Sequence, residues 1–251
     1  MSLTGDIKNV IDLIKTTDIN GCITGSSMLD ENFDMWDSVP DVDVFVYYEP
    51  QLQHAIDTLV MIHGFEPLSE GEAWKIERIK NRGMQKDKPL STVKLKKDDV
   101  IVNVTWKKSK NNVFSVLASF DMSIIMKGYD IPSHVMYDLR CRDSLFVPED
   151  PDGKWSNDPK VAVPNPLRKQ DVDMYGAEMW VRQFDRVIKY WNRGFDTRPM
   201  ARFYIELIDG VIRKGQLFTT DKSSAAFQEF INTYEPLKAK MVEWLNQKED
   251  C

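Results

Sequence analysis

The chain has 251 residues, 42% hydrophobic and 29% charged, with 33 Lys and Arg against 39 Asp and Glu, for a formal charge of -6. That composition excludes disordered and fibrous classes, and a pI near 5.2 argues against a protein that coats nucleic acid without preference. No apolar run approaches a membrane span and the polar opening MSLTGDIKNV lacks a secretory apolar core, so a cytoplasmic protein is expected.

Between Asp6 and Lys15 the apolar residues Ile7, Val10, Ile11 and Ile14 fall at helical spacing and predict a short amphipathic helix. GCITGSS then reads as a short buried strand ending at Gly25, with Ser26 or Ser27 placed to cap a following helical turn. DVDVFVYY, from Asp41, is a strongly β-prone run stopped by Glu49-Pro50. Leu52, Ile56, Leu59, Val60 and His63 predict a helix ended by Gly64. AWKIERI, STVKLKK and VIVNVTW follow as three strand candidates in an antiparallel meander, the last two separated by Asp98-Asp99. A short helix around VFSVLAS leads into FDMSIIM, a further predicted strand with Asp121, Ser123 and Ile125 on one face.

Prolines 148, 151, 159, 164 and 166 rule out regular helix or central strand between Phe146 and Arg168. Beyond that segment Trp180, Phe184, Val187, Ile188 and Trp191 line one helical stripe, and apolar periodicity recurs near 200 to 213, 223 to 233 and 236 to 246. The expected class is α+β. A mixed, largely antiparallel sheet with flanking helices fills 1–145, a proline-rich linker spans 146–168, and an all-helical domain fills 169–251. The three cysteines, Cys22, Cys141 and Cys251, suggest neither a disulfide framework nor a zinc knuckle. His54, His63 and His134 show no ligand spacing.

The chemistry concentrates at the start of the second predicted strand. Residues i and i+2 of a strand share a face about 6 to 7 Å apart, so Asp41 and Asp43 project together while Val42 and Val44 project into the opposite layer. Two like charges so placed repel, unless solvated at a strand end or bridged by a divalent cation. Mg²⁺, or Mn²⁺ in its place, takes carboxylate and phosphate oxygens. The turn at Gly25, Ser26 and Ser27 supplies the complement, since glycine admits close approach and backbone N–H groups and serine hydroxyls donate to phosphate oxygens. Phosphoryl or nucleotidyl transfer is the reaction this combination serves.

Gly25-Ser26 followed by Asp41-x-Asp43 at the start of an apolar strand resembles the signature of the nucleotidyltransferase superfamily, which includes DNA polymerase beta and the minimal nucleotidyltransferases. SFDMSII and RVIKYWNRGF are similar to segments of bacterial and phage members with a helical C-terminal domain. The resemblance implies that Asp41 and Asp43 bind the metal, that Ser26 contacts a nucleotide phosphate, and that a third carboxylate stands on a neighbouring strand. Asp121 is favoured for that place over Asn103, because an amide brings no negative charge; Asn103 beside the pair would put catalysis in doubt. The implied activity transfers a nucleoside monophosphate from an NTP to a hydroxyl of RNA such as tRNA, of a protein or of a small molecule. The alternative is a catalytically silent nucleotide-binding or interaction module of the same fold.

Nine basic residues between Lys75 and Lys97 face two acidic ones, which suits either a polyanion guide or a lysine-rich sheet edge. Arg182, Arg186, Lys189 and Arg193 recur at helical spacing opposite Trp180 and Phe184. An ordinary amphipathic helix has this pattern, and so has a triphosphate clamp; the family places nucleotide contacts on its second domain, which marks Arg186 and Lys189.

Overall fold

The computed structural model describes residues 3–29, 41–82, 90–140, 155–167, 177–218 and 225–249. The acidic segment with Asp30, Glu31, Asp34 and Asp37, the basic residues Lys86 and Lys88, the cysteines Cys141 and Cys251, and residues 146–154 and 168 of the expected linker lie outside the described residues. The chain divides into two compact units, Met1–Phe120 with Ile125–Glu149, and Asp121–Ile124 with Asp150–Cys251.

The first unit is a seven-stranded mixed sheet with helices. Its strands are β1 (Gly21–Thr24), β2 (Asp41–Val46), β3 (Glu66–Pro67), β4 (Leu90–Lys97), β5 (Val100–Lys107), β6 (Lys127–Asp130) and β7 (Val135–Asp138). They lie in the order β3-β4-β5-β2-β1-β6-β7. Each neighbouring pair is antiparallel except β2 and β5, which run parallel. Its helices are α1 (Leu3–Lys15), α2 (Glu49–Asp57), α3 (Glu70–Arg82) and α4 (Val113–Leu117).

Strand alternation decides what the sheet buries. Val42, Val44 and Val46 of β2, Val102 and Val104 of β5, and Val93 and Leu95 of β4 form one core with Ile7, Val10, Ile11 and Ile14 of α1 and Leu52, Ile56 and Leu59. Fully burying such a side chain stabilises by roughly 1.5–3 kcal/mol. The period of two then commits Asp41, Asp43 and Phe45 to the other face. Pro50 lies in the first turn of α2, where its missing N–H has no helical partner to lose, and Gly64 closes the segment at φ +69.

Three segments differ from the sequence expectation. AWKIERI, expected as a strand, lies inside α3. Ser69 accepts the Glu72 N–H through its hydroxyl at 3.3 Å and through its carbonyl at 3.0 Å, and Ile76 and Ile79, three apart, pack on the core. FDMSIIM, also expected as a strand, forms a single bridge from Met122 to Pro164 and a 3₁₀ turn at Ser123–Ile125. The strands β6 and β7, a hairpin on the free side of β1, were not expected.

Among the described residues the second unit carries three helices, α5 (Ala177–Trp191), α6 (Arg198–Phe218) and α7 (Ala225–Glu249). The Trp180, Phe184 and Val187 stripe of α5 is buried as its spacing predicts. Trp180 meets Tyr204 of α6 edge-on at 5.9 Å, and Phe184 meets Trp244 of α7 at 6.0 Å. No helix among the described residues is long and apolar enough to cross a membrane.

Candidate functional site

The face of the sheet opposite the core brings one row of polar side chains into register. Asp43 pairs with Thr24 of β1 on one side and with Asn103 of β5 on the other, and Asn103 pairs in turn with Lys94 of β4. Directly paired residues point to the same face, so Thr24, Asp43, Asn103 and Lys94 form a line across four strands. Asp41, two residues before Asp43, shares that face.

Asn103 closes the gap between the two acids. Its Nδ2 donates to Asp41 Oδ2 at 2.6 Å and to Asp43 Oδ1 at 3.0 Å. The amide hydrogens thereby stand between two carboxylates that would otherwise repel. The side chain is only 9% exposed, and its Oδ1 is buried with no hydrogen-bond partner. This is an unusual condition for a buried carbonyl oxygen, because such groups are nearly always paired.

The Gly-Ser turn abuts the same acids. Gly25 has φ +80, and a Cβ added there would lie 2.4 Å from Asp43 Oδ2. Only glycine both adopts this conformation without strain and leaves room for the carboxylate. Ser26 and Ser27 follow in a buried 3₁₀ turn, Gly25–Met28. The Ser27 hydroxyl donates back to the Thr24 carbonyl at 3.0 Å, and the Ser26 carbonyl accepts the Leu29 N–H at 3.3 Å. The sequence order of turn, acidic segment and strand thus corresponds to contact in space between Gly25 and Asp43.

Asp121 belongs to the second unit. It is 2% exposed, and its Oδ2 accepts from Arg186 Nη1 at 2.5 Å and from the Tyr204 hydroxyl at 3.3 Å. Arg186 Nη1 also donates to Gln183 Oε1 at 3.1 Å. Burial, the largest single influence, would lower the Arg186 guanidinium pKa, but Asp121, Tyr190 and Tyr204 together outweigh it and raise the value. Arg186, Tyr204 and Asp121 therefore form one ion-paired cluster within that unit. Lys189 lies exposed on the same helix, and Arg193 is buried beside the Tyr190 ring at 5.7 Å. Asn103, and not Asp121, is the strand neighbour of Asp43.

No protein-family model matches the chain, and no curated protein matches it significantly in sequence.

Among the described residues no group of three or more His, Cys, Asp and Glu side chains gathers to hold a metal ion. Asp41 and Asp43 nevertheless bring carboxylate oxygens, which suit a hard divalent cation, and the Asn103 amide that spans them presents Nδ2 to both. The unpartnered Asn103 Oδ1 supplies the fit, being a buried acceptor attached to the group that already spans both acids. Lys94 and Lys96 are exposed on the site face of β4, two strands or about 10 Å from β2. Sequence composition marked these lysines only as part of a basic stretch; the alternation of STVKLKK against VIVNVTW was the signal that would have placed them.

Proposed function

We propose that the first unit binds a nucleoside triphosphate with a divalent cation and transfers its nucleotidyl group to an acceptor hydroxyl. The observation that supports this reading is the close approach of the Gly25 turn to Asp43, since a turn able to donate to phosphate and a carboxylate able to hold a cation would then meet one substrate. Asp41 and Asp43 would hold the cation, and the Gly25-Ser26 backbone would receive the phosphates. Lys94 and Lys96 would draw a polyanion toward this face. When bound, a divalent cation neutralises phosphate charge and lowers the barrier to displacement at phosphorus. In the reaction the acceptor oxygen bonds to the α-phosphorus, the bond to the bridging oxygen breaks, pyrophosphate leaves, and the hydroxyl proton passes to solvent.

A second reading, nucleotide binding without transfer, is favoured by one observation. Asn103 occupies the strand position next to Asp43 where a third carboxylate would stand in a two-metal centre. Neither reading uses Asp121, whose carboxylate accepts from Arg186 and the Tyr204 hydroxyl in the second unit.

One experiment separates these outcomes. The chain is incubated with Mg²⁺, each α-labelled NTP and total cellular RNA and protein, beside Asp43→Ala, and calorimetry measures NTP binding to both. Label migrating with RNA or protein in the wild type alone supports transfer. Binding lost in Asp43→Ala without any transfer supports the second reading. Equal binding and equal turnover in the two proteins would sink both.

A further inference from the structure

A pair of facing carboxylates on one strand is relieved by solvent or by a positive partner, and in this protein a neutral amide also bridges the two. Asn103 Nδ2 reaches Asp41 at 2.6 Å and Asp43 at 3.0 Å, while the oxygen of the same amide is buried without a donor. An amide is pseudo-symmetric. A half-turn about its terminal bond exchanges the NH₂ group and the oxygen with almost no change in shape.

We propose that Asn103 is a reversible stand-in for a cation. Its amide bridges the two acids as the structure shows, and turns over to offer Oδ1 as a third oxygen ligand when a divalent ion enters with the triphosphate. The site then takes one ion and not two. This rests on the proposed nucleotide reading of the same site.

Charge bears on the number. The triphosphate brings the same charge in either case, so the difference lies in the side chains: Asp41 and Asp43 bring two negative charges, and a third carboxylate would add one more to favour a second ion. The neutral amide contributes a ligand atom and no charge. The turnover also removes a conflict, because Oδ1 facing two carboxylates is repelled unless a cation lies between them. No other His, Cys, Asp or Glu among the described residues joins Asp41 and Asp43 in a set of three, so Asn103 is the ligand the sheet supplies.

The test counts ions. The full chain is dialysed to equilibrium against Mn²⁺ with a non-hydrolysable NTP analogue on both sides, and bound Mn²⁺ per chain is measured for the wild type and for Asn103→Asp. The expected result is one ion per wild-type chain and two per Asn103→Asp chain. In parallel, the ¹⁵N side-chain NH₂ signal of Asn103, assigned by its absence from Asn103→Ala, is followed as Mg²⁺ and the analogue are added. It should move as the amide exchanges carboxylate acceptors for a new setting. Two ions on the wild type would overturn the single-ion inference, and an unmoved Asn103 signal at saturating Mg²⁺ would overturn the turnover. No ion on the wild type would overturn the nucleotide reading itself. The wild-type count and the Asn103 signal decide the matter even where Asn103→Asp fails to fold.

Discussion

At Gly25 the backbone and a neighbouring side chain impose the same requirement. A left-handed φ of +80 costs a non-glycine residue about 1–2 kcal/mol, and a Cβ 2.4 Å from Asp43 Oδ2 forces the carboxylate aside. Gly25→Ala is therefore expected to lower stability in urea by about 1–3 kcal/mol. It should also weaken divalent-ion binding in calorimetry, which a purely conformational cost would leave unchanged. Cys22, three residues earlier in β1, is a buried thiol. Burial, with Asp130 adding to it and a Tyr47 hydrogen bond opposing it, pushes Cys22 up to about 12 from an ordinary 9.0. The thiol of the unfolded chain ionises from about pH 9, whereas the folded one stays protonated to about 12, so folding stability falls as pH rises through that window. Tyr47, raised first by burial and then by its neighbours Cys22 and Asp130, acts in the same direction. Urea midpoints measured from pH 8 to 11 should decline, and Cys22→Ala should flatten the decline relative to its own value at pH 8.

At the scale of elements, the short turn around Asp121 and the helices α5 and α6 are tied by one ion-paired cluster. Arg186→Met leaves the Asp121 carboxylate, with 3% of its side chain exposed, without its cation. Breaking a fully buried pair costs about 3–5 kcal/mol, and the one-third exposure of Arg186 moves the expectation to about 2–3 kcal/mol. Asp121→Asn combined with Arg186→Met should recover most of that loss in a double-mutant cycle, since the uncompensated charge is then gone. A cycle showing simple additivity would mean that the pair is not coupled.

The elements also show what a sequence reveals. The two acids of β2, the buried valines between them and the shared face of Ile101, Asn103 and Thr105 were legible, because a period of two writes the face directly into the residue order. The parallel pairing of β2 with β5, which joins Asn103 to Asp41, was not, since it depends on strand order across some sixty residues. In α3 the β-branched and aromatic content of AWKIERI outweighed a local signal that was present, Ser69 followed three residues later by Glu72. Around Asp121 the alternation of DMSII is real, but its partners, Val163, Pro164 and Asn165, lie about forty residues on. No local pattern announces them. The hairpin of β6 and β7 escaped because both strands have four residues, and β7 leaves Val135 and Met136 exposed.

At the scale of the molecule, the chain passes between its two units after Phe120, after Ile124 and after Glu149. The second unit thus contains four residues from the middle of the first unit's sequence. A fragment of residues 150–251 lacks the Met122–Pro164 bridge, the paired bonds of Ser123 with Val163, and the Asp121 carboxylate that pairs with Arg186. It is expected to melt broadly and at a lower temperature than the corresponding transition of the full chain, as followed by circular dichroism. A sharp transition at an unchanged temperature would show that residues 121–124 contribute little.

The loan of residues 121–124 also bears on how such a chain can be rearranged by recombination. A breakpoint in the proline-rich segment would hand a new host three helices with a cationic arginine and no acid to meet it. A cassette that kept this pair would have to begin before Asp121 and not in the proline-rich segment.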